Sequence, residues 1–430
     1  MLRRPGRNRA HHHRSPVLSV NLAVQPGTLD ASGLRRVVVV LSITEITSWG
    51  ILYYAFAVLS SSIVRDTGWS QVSLTAAFSA SLVVSGVVGI VVGRRLDRFG
   101  PRRIMTAGSV LAVIAVLVIA ASQNYAMFVA GWLIAGAAAA GVLYAPAFAA
   151  LTRWGGRRRV SALTTLTLVA GLASTVFAPL AAGLEALTNW RTTYVILAVL
   201  LAAITIPLHW WGLDHPWHRE PVVKHDSGGR TEARTLPFVA LMLTATLSAF
   251  VVYAAVINLV PLLVERGLST TEAAFGLAVG GVGQVAGRLG YARLAAVTTP
   301  VSRTAVIILA IGVTTAMLAV APAVLWVLFV ASAFVGVARG IFTLIQATAI
   351  SDRWGIARFG QLNGILTAPV LLASAIAPFA GAALADVAGG QREAFLWLAG
   401  LALLAAATAL ATGTKRSDDT RAPTALREFP

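Results

Sequence analysis

Polar positions along this chain are sparse and bunched, and the stretches between them are almost wholly apolar. Twelve such stretches can be marked, at approximately 36–63, 71–93, 104–121, 125–150, 161–184, 192–211, 237–263, 271–292, 304–321, 324–350, 359–384 and 394–412. A helix needs about 20 mostly apolar residues to cross a hydrocarbon layer roughly 30 Å thick. Strands of a closed membrane barrel instead alternate apolar and polar positions over about ten residues. The runs here are continuous and longer, so the pattern predicts an all-α membrane protein with twelve transmembrane helices.

Composition agrees: 57% of the 430 residues are hydrophobic and only 12% are charged, against roughly 25% charged in a soluble domain. The net charge of +17 resembles a nucleic-acid signal until its distribution is read. With the N-terminus in the cytoplasm, 28 of the 34 Lys and Arg fall on inside segments, and only Arg65, Arg191, Arg266 and Arg392 fall outside. That bias is the positive-inside rule. It orients both termini to the cytoplasm and leaves no nucleic-acid surface to explain. Cysteine is absent, so no thiol chemistry is expected. Trp210, Trp211 and Trp217 close the sixth run, where an interfacial aromatic belt belongs.

Comparing the chain with itself shows a repeat. Arg153-Trp154-Gly155 recurs as Arg353-Trp354-Gly355 at offset 200, as does Ala135-Gly136 opposite Val335-Gly336. Ala178-Pro179 matches Ala377-Pro378, and Gly68-Trp69-Ser70 matches Gly267-Leu268-Ser269, both at offset 199. The expected organisation is two parallel six-helix bundles, 34–211 and 237–413. A cytoplasmic linker at 212–236 joins them, and a binding site is expected at their interface near the midplane. The basic tail 1–33, with His11, His12 and His13, is expected to be disordered or to reflect an early start codon. The tail 414–430 is also expected to be disordered.

The loop after the second run reads Gly93-Arg94-Arg95-Leu96-Asp97-Arg98-Phe99-Gly100-Pro101-Arg102-Arg103. The pattern G-x-x-x-D-R-x-G-x-R-R resembles the loop signature of the major facilitator superfamily. The resemblance implies that Gly93, Asp97, Arg98, Gly100, Arg102 and Arg103 steady a conformational state and couple it to rocking of the halves, without binding substrate. Asp97 is expected to hydrogen-bond a neighbouring helix end. The second-half counterpart, Gly287 to Arg293, has lost the acid. A finer similarity is to the monocarboxylate-porter and oxalate/formate-antiporter branch. It rests on Trp49-Gly50 with Tyr53 to Phe56, on Trp154 with Arg157 to Arg159, Gly171 and Pro179, and on Gln284-x-x-x-Arg288. That branch implies that Arg288 meets an organic carboxylate. Where the proton-coupled porters carry an aspartate, this chain has Gln284. Ala178 and Ala182 stand where drug–proton antiporters carry glycines.

Ionisable groups within the bilayer are expensive and mark function by default. At 1.5 Å per residue, Glu45 lies roughly 13 Å beyond Arg36, and Arg339 roughly 20 Å from Asp352. The resemblance puts both on cavity-lining helices. Arg339 stands opposite Ala139 at offset 200, so the repeat itself does not require the charge. In the functional reading Arg339 receives an anion and Glu45 carries a proton. In the structural alternative the two form a permanent pair. Arg288 either faces the site or snorkels to the inner surface. Arg339, Thr343 and Gln346 share one helix face, and Glu45, Trp49, Tyr53 and Phe56 follow one stripe. Tyr144, Tyr253, Asn258 and Asn363 offer further hydrogen bonds.

The leading expectation is therefore a secondary transporter working by alternating access. It would be a symporter of protons with a small organic anion such as a monocarboxylate, monomeric, and multi-pass in a bacterial-type inner membrane. Its binding and coupling residues are expected to be Arg339, Glu45, Arg288, Gln284, Tyr53, Tyr253, Asn258 and Gln346. Drug or metabolite efflux by proton antiport is the alternative, and a non-transporting sensor on the same fold is a third. No metal-ligand cluster, cofactor motif or nucleophile–base pair appears, so no enzyme, metal or cofactor is expected.

Overall fold

Helix starts in this protein are written in small polar side chains. Asp30, Ser70, Asn124 and Asn189 accept from the backbone N–H three residues on, at 2.8, 3.0, 2.9 and 2.9 Å. Ser269 with Glu272 and Thr299 with Ser302 form reciprocal capping boxes. Each satisfies orphan donors of a first turn, and an apolar run follows. The computed structural model describes residues 28–217, 232–355 and 359–413. The expectations placed on the N-terminal tail, on most of the linker and on the C-terminal tail lie outside them.

The described residues are helical, with no strand among them. In chain order they form α1 (Ala31–Trp49), a π turn (Gly50–Tyr54), α2 (Ala55–Thr67), α3 (Gln71–Ala120), α4 (Tyr125–Val142) and α5 (Tyr144–Gly155). Next come α6 (Arg159–Ala170), α7 (Ala173–Leu187), α8 (Trp190–Gly212), α9 (Leu236–Glu265) and α10 (Thr270–Val297). The chain ends with α11 (Pro300–Val320), α12 (Leu325–Thr348), α13 (Ser351–Trp354), α14 (Phe359–Ala388) and α15 (Gln391–Ala409). By length and composition, nine helical stretches among the described residues can cross a membrane.

Two of those stretches are longer than one crossing, and local chemistry shows where they divide. The expected runs 71–93 and 104–121 are joined in α3, which is 50 residues long and leaves helical geometry at Gly100, φ +77°. Only glycine takes that conformation without strain, and Pro101 follows at once. The expected run 125–150 breaks at Leu143, which is extended. Pro146 is the reason: it lacks the N–H that would bond the Val142 carbonyl, and its ring crowds that carbonyl. The expected run 161–184 breaks at Gly171-Leu172, between α6 and α7.

Helix pairs close on small residues. A Cβ on Gly136 of α4 would strike the Ser81 backbone of α3, and one on Gly336 of α12 would strike the Gly280 backbone of α10. With little hydrophobic drive between helices in lipid, such close backbone approach is what holds pairs together. The stretch up to residue 217 then meets the stretch from 232 onward through α3 with α14, α7 with α10 and α2 with α9. Hydrogen bonds cross that seam. The Phe379 N–H donates to Ser79 Oγ at 3.1 Å, and Thr175 Oγ1 donates to the Ala278 carbonyl at 3.0 Å.

Candidate functional site

The π turn Gly50–Tyr54 is where the site begins. An extra residue in one helical turn rotates everything after it, and such turns gather at functional sites. Here the turn points both Tyr53 and Tyr54 at a cavity of about 80 Å³. Phe56, expected on the same stripe, goes instead into the core and stacks on Phe78 at 4.4 Å. The cavity is lined from α1 and the π turn by Trp49, Tyr53 and Tyr54, from α5 by Tyr144, and from α9 by Val252, Tyr253 and Val256. Across from these stand Gln284 and Arg288 of α10, and Arg339, Phe342, Thr343 and Gln346 of α12.

Six of the eight expected site residues therefore share one cavity: Arg339, Arg288, Gln284, Tyr53, Tyr253 and Gln346. Arg339 donates to Gln284 Oε1 and, at 3.5 Å, to the Tyr54 hydroxyl, while its Nε is buried without a partner. Arg288 does not snorkel: it is buried and donates to the Thr167 carbonyl. That carbonyl lies at the Gly171-Leu172 break, and Gly171 leaves the room, since a Cβ there would meet the guanidinium. Among the described residues neither arginine forms an ion pair, and no lining residue is acidic.

Glu45 and Asn258 lie elsewhere. Glu45 is wholly buried one turn before Trp49, and neither carboxylate oxygen has a hydrogen-bond partner among the described residues. It makes no ion pair with Arg339, so a permanent pair between α1 and α12 is absent. Tyr144 lies within electrostatic reach of both Glu45 and Arg288. Asn258 is a packing residue: its amide donates to the Ala254 carbonyl at 2.9 Å and the Pro378 carbonyl at 3.4 Å, tying α9 to α14. Tyr54 and Phe342 also line the cavity, beyond the residues expected from sequence. Phe342 follows Arg339 by three positions and was legible by helical spacing, but Tyr54 faces the cavity only because of the π turn.

The model of the Major Facilitator Superfamily matches residues 40–329. The chain belongs to this superfamily. It is 29% identical over 152 residues to an uncharacterized MFS-type transporter, YcxA, of Bacillus subtilis (strain 168). That match covers 34% of this chain and 36% of the relative, so it spans about a third of the curated relative's length. Among solved structures, the fold is similar to a bacterial homolog of the human lysosomal transporter Spinster in an inward-facing, unoccupied conformation. The TM-score is 0.72 at 14% identity, over 89% of this chain and 98% of that one. It is also similar to the nucleoside transporter NupG in a point-mutant form, with TM-score 0.71 at 12% identity over 88% and 99% of the two chains. The protein is a multi-pass membrane protein of this superfamily.

In this facilitator the signature loop is engaged by the chain's own connecting segment. Trp217 lies against Gly100, where a Cβ would come within 3.0 Å of the indole, and its N–H donates to the Asp97 carbonyl at 3.2 Å. Arg102 pairs with Asp214 at 2.5 Å, Arg153 lies over the Trp217 ring, and Trp154 donates to the Pro216 carbonyl at 3.0 Å. The Asp97 carboxylate is exposed and bonds no described residue, so the helix-end contact expected of it is not made here. Gly93 is half-buried, whereas Arg98 and Arg103 are exposed.

Proposed function

We propose that this facilitator carries a small organic anion, a monocarboxylate, across the cell membrane in symport with protons. The carrier is read as a monomer. It works by alternating access between two parallel six-helix units, 34–211 and 237–413, with twelve crossings and both termini in the cytoplasm. The observation that carries the reading is the pair Arg288 and Arg339. They come from two helices, face one cavity, and have no acidic partner among the described residues. A guanidinium held in a low-dielectric site without a counter-charge costs several kcal/mol, and an anionic substrate supplies that charge. Its fork of donors matches a carboxylate in two-point contact.

Glu45 is the proton carrier in this reading. Its buried carboxyl sits one turn from Trp49 on the cavity wall, and Tyr144 lies within electrostatic reach of both it and Arg288. Proteoliposomes with an imposed pH gradient test the scheme. Uptake of a labelled carboxylate is expected to follow the gradient, and Glu45→Gln is expected to abolish that dependence while exchange of substrate for substrate continues. No movement of any organic anion, or gradient-driven uptake by Glu45→Gln equal to the parent's, overturns it.

A further inference from the structure

The two walls of the cavity differ in chemistry, and that difference narrows the substrate. One wall, from α1, the π turn and α5, is aromatic: Trp49 packs on Tyr53 at 5.4 Å and on Tyr144 at 5.2 Å, and Tyr53 packs on Tyr54 at 5.2 Å. The opposite wall carries Arg288, Arg339 and Gln284, with the Phe342 ring beside them. A short aliphatic acid would satisfy the guanidinium groups but leave the ring wall facing water. A ligand that meets both walls has a flat apolar body at one end and an anion at the other. Aromatic faces reward a second aromatic ring beyond the area it buries.

Size sets the upper limit. A water-sized group needs roughly 10–15 Å³ of such space, so about 80 Å³ admits on the order of six. Covalent packing brings this to about a single ring bearing one carboxylate. Resting on the organic-anion reading above, we propose that the substrate is a single-ring aromatic carboxylate. Its carboxylate lies on Arg339 and Arg288, and its ring lies against Trp49 and Tyr53. The substrate then joins the two walls, each holding the part of the molecule that the other does not bind.

Calorimetric titration of the purified full-length protein with benzoate, cyclohexanecarboxylate, acetate and benzyl alcohol tests this. Benzoate is expected to bind most tightly, on the order of threefold to tenfold better than cyclohexanecarboxylate, with acetate weaker still and benzyl alcohol weakest. Trp49→Leu is expected to bring the benzoate-to-cyclohexanecarboxylate ratio close to one. Tyr53→Leu, on the same wall, gives the same readout if Trp49→Leu does not fold. Acetate or cyclohexanecarboxylate binding as tightly as benzoate overturns the aromatic assignment and leaves the anion carrier standing. Benzyl alcohol binding as tightly as benzoate, or no ligand binding at all, overturns the anion reading beneath it as well.

Discussion

The helix pairs α3/α4 and α10/α12 are packed alike and equipped differently. Gly136 meets the backbone of Ser81 in the first pair, and Gly336 meets that of Gly280 in the second, at positions 199 or 200 residues apart. Yet α12 carries Arg339 where α4 has Ala139, and α10 carries Gln284 and Arg288 where α3 has Ser85 and Gly89. Packing and chemistry have therefore separated. The backbone approach that holds each pair together is common to both, while the polar groups that face the cavity sit on one of them. A residue shared by both pairs reports on architecture, and a residue present in one reports on the site.

The comparison breaks most visibly at the glycines. Gly136→Leu and Gly336→Leu are each expected to force a helix pair apart, an overpacking penalty of about 3 kcal/mol or more. Both should show as lost monodisperse protein in size-exclusion chromatography. If one is tolerated, the two pairs are not packed alike after all. Next in size, Arg339→Gln is expected to lower carboxylate uptake by at least about 30-fold in folded protein, whereas Ala139→Ser leaves uptake within about twofold. Equal effects would remove the asymmetry.

Two ion pairs offer a smaller contrast. Arg303 pairs with Asp352 at 2.5 Å with the arginine 6% exposed, while the Arg102–Asp214 pair is 31% and 63% exposed. Asp352→Asn is expected to destabilise by about 2 kcal/mol, since it strands a buried guanidinium. Asp214→Asn should cost under about 1 kcal/mol. Thermal unfolding in detergent reads both. The smallest effect is a pH dependence at the Asp214 corner. Burial, with Arg36 nearby, holds the His215 imidazole below its ordinary 6.5, against the opposing pull of Asp214 and Asp30. The unfolded chain then binds more protons as pH falls, so this contribution is present above pH 6.5 and is lost below it. A fall in Tm of under about 2 °C between pH 7.5 and 5.5, absent in His215→Gln, is expected.

Much of this arrangement was legible in the sequence because it follows from one-dimensional signals. Apolar run length gives the all-helical, membrane-spanning character, and the loop spacing from Gly93 to Arg103 gives the family. Arg339, Arg288 and Gln284 declared themselves by being polar where polarity is costly. What was illegible depends on rotation about a helix axis. The π turn brings Tyr54 to the cavity and sends Phe56 to the core, and nothing in residues 50–54 announces an extra residue in that turn. Asn258 looked like a ligand contact because its type suits one, but the approach of α14 turned it to the Pro378 carbonyl. Trp217 reads from sequence as a member of an interfacial belt, because its partners, Gly100 and Asp97, are 117 and 120 residues away in the chain.

The interleaved backbones of α10 and α12 also bear on how this binding site can change through descent. A Cβ on Gly340 would strike the Gln284 carbonyl, and one on Gly287 would strike that of Val337. The guanidinium wall is therefore anchored in a backbone fit that tolerates almost no added atom. Single substitutions at those glycines run through non-viable intermediates. Trp49, Tyr53 and Tyr144 touch the cavity with side chains alone, and their replacement leaves the backbone fit untouched. Among relatives that bind different acids, diversification is expected to accumulate on these rings while Gly336 and Gly340 stay fixed. New specificities would then arise by exchanging what the anion is attached to, with the means of holding the anion inherited unchanged.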